Sequence, residues 1–370
     1  MEKAASLSIP ESRASDEGQN GKRDRLHAVS ITDRCNLRCK YCMPDGIDCM
    51  PRWDVLSLEE FEAIAIAAAS LGIKKIKVTG GEPLARKSCP QLVKMLKNIP
   101  GIEKVTLTTN GVQLDRYLDQ LLDAGLDAIN VSLDTVDPVL YEKITGRDKL
   151  ADVMRFIEKA ESLPIPVKIN AVSIDFRQLQ ENGKATELSP QENWQQMAEL
   201  AKHYPVDVRF IEMMPIGYGK QFKTIDHNWL LENMKKVYPD LEEDTRVHGF
   251  GPAVYYKVPG FKGSIGLISA IHGKFCSTCN RIRLTSQGTC KSCLCYDEGT
   301  DLRSILREGQ ERPDKDTHYI WPEGRDVRDE KLQEKLREAL AKAIYEKPAA
   351  HCFEKPGEIT EAHNMISIGG

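Results

Sequence analysis

The stretch His27-Ala-Val-Ser-Ile-Thr-Asp-Arg-Cys-Asn-Leu-Arg-Cys-Lys-Tyr-Cys-Met-Pro44 decides how this chain is read. Its first residues, His27–Thr32, carry Val29, Ile31 and Thr32 and read as a short strand. A loop with Cys35, Cys39 and Cys42 follows at once, so three soft metal ligands arrive together at the carboxyl end of a strand. Outward from there the pattern repeats. Lys75–Thr79, Lys104–Thr109, Ala128–Leu133, Val167–Val172 and Val206–Ile211 read as strands. Leu58–Leu71, Cys89–Lys97, Asp115–Ala124, Leu150–Ser162 and Trp194–His203 have helical periodicity between them. Such alternation implies βαβ units around a parallel sheet. Six units predict an α/β fold, a partial (β/α)6 TIM-like barrel; a doubly wound open sheet is the alternative.

The regular pattern has limits on both sides. Residues 1–24 are polar and poor in large apolar side chains, and read as a disordered leader. The barrel is expected over residues 25–222 and a smaller C-terminal domain over 223–370. In that second part Thr224–Tyr238 reads as a helix, and Ala253–Val258 and Ser264–Ser269 as a hairpin. A cysteine-rich loop follows at Cys276–Cys295, then charged helices at Asp301–Arg307 and Lys331–Glu346. Ser173–Pro190 is polar and is expected to be an extended barrel loop.

Bulk composition excludes several roles. A net charge of −4 over 370 residues gives no footprint for a nucleic acid polymer or an anionic membrane. The most apolar run, Ala63–Ile73, is too short to span a bilayer. A cytoplasmic location is therefore expected, and there the eleven cysteines point to metal or catalytic roles rather than disulfides. Any anionic ligand must be met by a local cluster of Lys and Arg.

The spacing Cys35-x3-Cys39-x2-Cys42 supplies three thiolates from one tight loop. A [4Fe–4S] cluster takes four ligands, so three thiolates leave one iron open to a small molecule. A zinc knuckle completed by Cys49 or a histidine is the rival reading. Thr79-Gly-Gly-Glu-Pro83 ends the second strand; its glycines would let a ligand touch backbone, and Glu82 would offer a carboxylate. Each of the six strand ends carries something polar or soft: Cys35, Gly80–Gly81, Thr108–Asn110, Ser132–Asp134, Lys168–Asn170 and Glu212–Met214. In β/α barrels the active site lies at that face.

The combination of Cys-x3-Cys-x2-Cys with Gly-Gly-Glu-Pro resembles the radical S-adenosylmethionine superfamily. More narrowly, Thr32 to Pro44, Leu107-Thr-Thr-Asn-Gly111, Asn130-Val-Ser-Leu-Asp134 and Arg209-Phe-Ile-Glu212 resemble the GTP 3′,8-cyclases of molybdenum cofactor biosynthesis. The resemblance runs from about Ser30 to Gly370. It implies a lyase in which a radical from reductive cleavage of S-adenosylmethionine removes hydrogen from C3′ of GTP. The carbon radical then attacks C8, giving 3′,8-cyclo-7,8-dihydro-GTP. It also implies S-adenosylmethionine contacts at Tyr41, Gly81, Ser132 and Met214, and a low-potential electron donor such as flavodoxin or ferredoxin. A homodimer is compatible with it.

Phe275-Cys-Ser-Thr-Cys-Asn-Arg-Ile-Arg283 is the second strong signal. Cys276 and Cys279 suit zinc or iron–sulfur, and Cys290, Cys293 and Cys295 are all within reach as a third ligand. The resemblance selects Cys293 and implies a second [4Fe–4S] cluster whose open iron meets guanine. Arg281 and Arg283 alternate on one side of an extended segment, where their planar forks suit phosphate oxygens. The resemblance adds Lys77, Thr108, Lys168, Arg209 and Ile282 as GTP contacts, with Lys75 beside them. It also gives Gly369 and Gly370 a role in activity, through a tail that inserts toward the active site. Two departures stand out. Ala28 occupies a position where these enzymes usually carry arginine, with His27 or Arg25 as candidate substitutes, and Lys77 stands where arginine is common. A radical S-adenosylmethionine enzyme acting on a peptide or another nucleotide, and a zinc-stabilised module without catalysis, remain the alternatives.

Overall fold

Alternating side chains along each strand dictate what the sheet can do. In β1 (Leu26–Ser30), β2 (Lys75–Thr79), β3 (Lys104–Thr109), β4 (Ala128–Ser132), β5 (Val167–Ser173) and β6 (Val206–Glu212) one row is apolar. Ile76, Val78, Val105, Leu107, Ile129, Val131, Ile169 and Val208 of that row are fully buried in one core cluster. The other row carries Lys77, Thr108, Asn130, Lys168, Asn170 and Arg209. A strand has period two, so these face the opposite side of the sheet. Barrel interiors are usually filled by branched apolar residues. A polar interior row makes a ligand cavity instead.

The protein is seen here as a computed structural model, which describes residues 26–46, 50–179, 189–249, 251–312 and 317–368. The leader 1–24, Cys49 and the two terminal glycines lie outside the described residues, as do Arg25 and the His27 side chain. The six strands run parallel in chain order, β1 to β6. Five helices cover the apolar face as the sequence predicts: α1 (Leu58–Ser70), α2 (Cys89–Lys97), α3 (Leu114–Asp123), α5 (Leu150–Glu158) and α6 (Pro190–His203). Ser57 and Ser189 cap the first and last of these with full capping boxes, to Glu60 and Glu192.

One helix was not foreseen. Between β4 and α5 the chain forms α4 (Pro138–Thr145), capped by Asp137 and stopped by Gly146 at φ 67°. Its buried face, Leu140, Tyr141, Ile144 and Thr145, has helical spacing, and it runs almost directly into α5.

After β6 come α7 (His227–Val237), β7 (Glu242–Glu243), β8 (Val254–Lys257), β9 (Ile265–Ile268), β10 (Arg281–Leu284), β11 (Thr289–Lys291) and β12 (Thr300–Asp301). The chain then forms α8 (Arg303–Leu306) and α9 (Glu330–Tyr345). The helix expected over Asp301–Arg307 is thus a strand end followed by one short turn.

The change of pattern near residue 222 is not a break in the sheet. β9 joins the open side of β6 in parallel and β10 joins the open side of β1 in parallel. The result is one sheet in the order β12-β11-β10-β1-β2-β3-β4-β5-β6-β9-β8-β7, with two free ends. The barrel is partial, and the later strands widen it on both sides. Helix α9 folds back on α1, where Gln333 donates to the Ala63 carbonyl at 3.1 Å. The buried pair Arg307–Glu60, at 2.6 Å, ties the end of α8 to α1.

Candidate active site

The loop after β1 is held from three sides. Arg38 and Lys40 donate backbone N–H bonds to the Thr145 and Ile144 carbonyls at the end of α4, at 2.7 and 2.9 Å. Within the loop, the amides of Cys42 and Met43 turn back to the Cys39 carbonyl. Asn110, at the end of β3, reaches Asn36 at 2.7 Å and lies 3.9 Å from the Cys35 sulfur. The unforeseen helix α4 is therefore one of the supports of the three thiols.

Cys35, Cys39 and Cys42 are half-buried and free. Burial and then the Cys42 thiol hold Cys39 well above the usual thiol range. Burial also pushes Cys42 up to about 12, with Cys35 adding to it. Three thiols that oppose each other's ionisation become good ligands once a cationic metal centre arrives, because ligation removes their protons.

Gly80 and Gly81 serve a closer partner than a ligand. A Cβ on Gly81 would lie 2.5 Å from the Arg34 carbonyl oxygen, and one on Gly80 2.8 Å from that of Thr32. The amides of Gly81 and Glu82 donate to those same two carbonyls at 2.7 Å each. The glycines thus let the cysteine loop lie against the end of β2. Glu82 does not offer its carboxylate to solvent either. It is fully buried, accepting from Leu84 N–H at 3.0 Å, Thr109 Oγ1 at 2.8 Å and Asn110 N–H at 2.7 Å. Burial pushes its pKa up to about 7. Its task is to clamp β2 to β3 beneath the loop.

Of the other positions expected to meet S-adenosylmethionine, Ser132 is exposed at the end of β4. Tyr41 is committed inward, donating to Asp134 Oδ2 at 2.6 Å. Burial raises Asp134 to about 6, and Asp134 also accepts from Val172 N–H at 2.8 Å. Met214 lies across the mouth, lining the cavity of the second cysteine group.

Deeper in the polar row the charges gather. Lys77 is held well below the usual lysine range, first by burial and then by Arg209, Arg281, Arg283 and Lys168. Burial and then Arg281 push Arg283 down to about 10. Thr108 Oγ1 and Arg209 Nε are buried with no hydrogen-bond partner. Ala28 sits in register between Lys77 of β2 and Arg283 of β10, so an arginine there would stand between two cations. Two expected contacts behave differently. Ile282 is fully buried in the core, and its side chain lines nothing. Lys168 is engaged by the chain itself, donating to the His248 carbonyl and to Tyr255 Oη at 3.1 Å, and pairing with Asp207 at 3.1 Å.

Cys276, Cys279 and Cys293 line one open cavity of about 580 Å³ with Arg281, Arg283 and Met214. The competing thiols point elsewhere. Cys290 is buried in the main core, and Cys295 packs against Cys352 with sulfurs 3.0 Å apart. The far wall of the cavity comes from the segment after α9, through Lys347, His351 and Phe353. Sequence reasoning missed these three; their one signal was a histidine beside a cysteine just past the last helix. The same segment reaches the first loop, where the Ile366 amide donates to the Cys42 sulfur. Ile368, the last described residue, packs with Ile216, Leu294 and Phe353.

This arrangement has relatives. Residues 29–182 match the family model for the radical SAM superfamily, and residues 206–321 match that for Molybdenum Cofactor Synthesis C. A GTP 3′,8-cyclase of Clostridium perfringens is 38% identical over 344 residues, 92% of this chain and 96% of that protein. One from Peptoclostridium acidaminophilum is 40% identical over 95% of this chain and 97% of its own length. Among solved structures, Streptococcus suis SuiB bound to S-adenosylmethionine has a similar fold, with TM-score 0.54 at 15% identity, covering 86% of this chain and 69% of that one. Identity at that level over nearly the whole of both chains, together with the two family segments in order, places this protein in the GTP 3′,8-cyclase family of radical S-adenosylmethionine enzymes.

Proposed function

We propose that this chain converts GTP to 3′,8-cyclo-7,8-dihydro-GTP in molybdenum cofactor synthesis. In this reading Cys35, Cys39 and Cys42 hold one [4Fe–4S] cluster and Cys276, Cys279 and Cys293 a second. The observation that carries it is the field on Lys77, where four further cations converge on one buried amine beside a cysteine-lined cavity. Gathering like charges in a low-dielectric interior is costly unless an anion of several charges completes the site. A triphosphate is such an anion.

Each residue then has a task. Lys77, Arg209, Arg281 and Arg283 bind and orient the phosphates. Thr108 Oγ1 and Arg209 Nε supply unpaired polar atoms for the nucleotide. Lys168 joins them by exchanging Asp207 for a phosphate oxygen. Tyr41, Gly81, Ser132 and Met214 form the seat for S-adenosylmethionine, which supplies hydrogen-abstracting radical chemistry when bound at the first cluster. The tail through Gly369 and Gly370 starts from Ile368, close to both cysteine groups, and would complete the enclosure.

The electron consumed in each cleavage comes from a low-potential donor of the flavodoxin or ferredoxin class. A cytoplasmic location fits ten described cysteines none of which is in a disulfide. No helix among the described residues is long and apolar enough to cross a membrane.

The test is anaerobic reconstitution followed by reaction with GTP, S-adenosylmethionine and a reductant. Two clusters predict about eight irons per chain and a GTP-dependent cyclic product. Stoichiometric zinc in the second site, or S-adenosylmethionine cleavage that never consumes GTP, overturns the reading.

A further inference from the structure

His351 stands out in the wall of the second cavity. It is buried, it lines the space shared by Cys276, Cys279, Cys293, Arg281 and Arg283, and its ring stacks on Phe353 with centroids 4.4 Å apart. Its backbone N–H donates to the Cys276 sulfur at 3.4 Å, which fixes where the ring begins. Its Nδ1 accepts from Phe353 N–H at 3.3 Å. Glu354 stays 3.8 Å from that nitrogen, beyond hydrogen-bond reach. A ring whose Nδ1 accepts carries its proton on Nε2. Yet Nε2 is buried without a well-formed hydrogen bond, the Ala270 backbone giving the ring only a weak one. Buried donors left unpaired are rare because they lose their water and gain nothing. One that persists beside a ligand cavity marks a missing acceptor.

The cavity is chemically divided. Its arginine side is charged and suits phosphate. The His351–Phe353 wall is aromatic, with one uncharged donor. That combination suits the edge of a heteroaromatic base, which presents ring nitrogens and a carbonyl oxygen as acceptors. Building on the GTP reading above, we propose that His351 is a base-positioning residue, donating from Nε2 to an acceptor on the purine and so discriminating the base from the phosphates. The contact also explains why the segment after α9 is brought across the cysteine cavity.

The experiment uses the reconstituted full chain under anaerobic conditions and measures equilibrium binding of GTP and of inorganic triphosphate. His351→Phe keeps the stacked ring and deletes the donor; His351→Gln keeps a donor. Loss of one buried hydrogen bond is expected to weaken GTP about tenfold in His351→Phe. Inorganic triphosphate should bind as in the unaltered protein, iron content should be unchanged, and His351→Gln should recover most of the GTP affinity. Nitrogen hyperfine couplings from labelled GTP at the second cluster should also shift in His351→Phe. Equal GTP affinity in both variants and the unaltered protein overturns the assignment. So does an equal loss for GTP and triphosphate, or a loss of iron in both variants, since either gives His351 a purely structural or cluster-holding role. Failure of the unaltered, iron-loaded protein to bind GTP would strike the underlying substrate reading instead.

Discussion

The two cysteine groups are built in opposite ways. Cys35, Cys39 and Cys42 lie within eight residues of one loop, pinned by short hydrogen bonds to neighbouring strand and helix ends. Cys276, Cys279 and Cys293 come from either side of β10 and β11, and the wall opposite them arrives from residues 347–353. The first site is built mostly from the ends of β1, β2 and β3 and from α4, with a single amide, that of Ile366, added from the C-terminal segment. The second exists only when β10 has joined β1 and the segment after α9 has folded across. The first should therefore tolerate changes in residues 347–353 that empty the second.

The largest effect expected is on the first loop. Replacing Cys35, Cys39 and Cys42 by alanine should remove about half the iron, given four irons per site, and abolish S-adenosylmethionine cleavage while the second site keeps its metal. Loss of all iron would break the claim of independence. Next, Cys293→Ala should cost the second cluster and GTP turnover, whereas Cys295→Ala and Cys290→Ala should keep both. The latter two delete buried atoms, with a cost of ~1–3 kcal/mol in stability. Iron analysis and thermal melts on the three variants separate metal loss from packing loss.

Gly81→Ala sharpens the comparison from the other side. Its new methyl would meet the Arg34 carbonyl oxygen at 2.5 Å, a backbone atom that cannot step aside without moving the loop. First-cluster occupancy should fall, with the second intact, as the spectrum of each cluster would report. Smaller still, Arg281→Ala or Arg283→Ala should weaken GTP binding about ten- to a hundredfold, the typical worth of a charge-assisted hydrogen bond to phosphate, with both clusters retained. Ala28→Arg is the mildest and the only gain. It adds a cation between Lys77 and Arg283, and tighter GTP binding in a direct titration is the expected result. An unchanged affinity would mean that the five existing cations already satisfy the triphosphate.

Much of this was legible in the chain. β2, β3 and α2 fall where periodicity put them, because their apolar rows are long enough to show a period. The first cysteine loop could be read outright, since its ligands are close in sequence. Glu82 could not. A carboxylate beside two glycines reads as a ligand until Thr109 and Asn110 are found taking both its oxygens. Lys168 was read as free for phosphate, and only the packing of residues 248 and 255 put a carbonyl and a phenol on its ammonium.

By itself the sequence determined the βα alternation, the polar residues at the strand ends, and two groups of cysteines spaced as metal ligands. These depend on neighbours two, three or four residues apart, and such spacings survive in a linear string. Tertiary structure alone decided that β9 and β10 extend the same sheet on both edges, that Cys290 and Cys295 are packed away from the cavity, and that His351 closes it. Those outcomes depend on which buried surfaces meet across tens to hundreds of residues, and no local pattern records that choice.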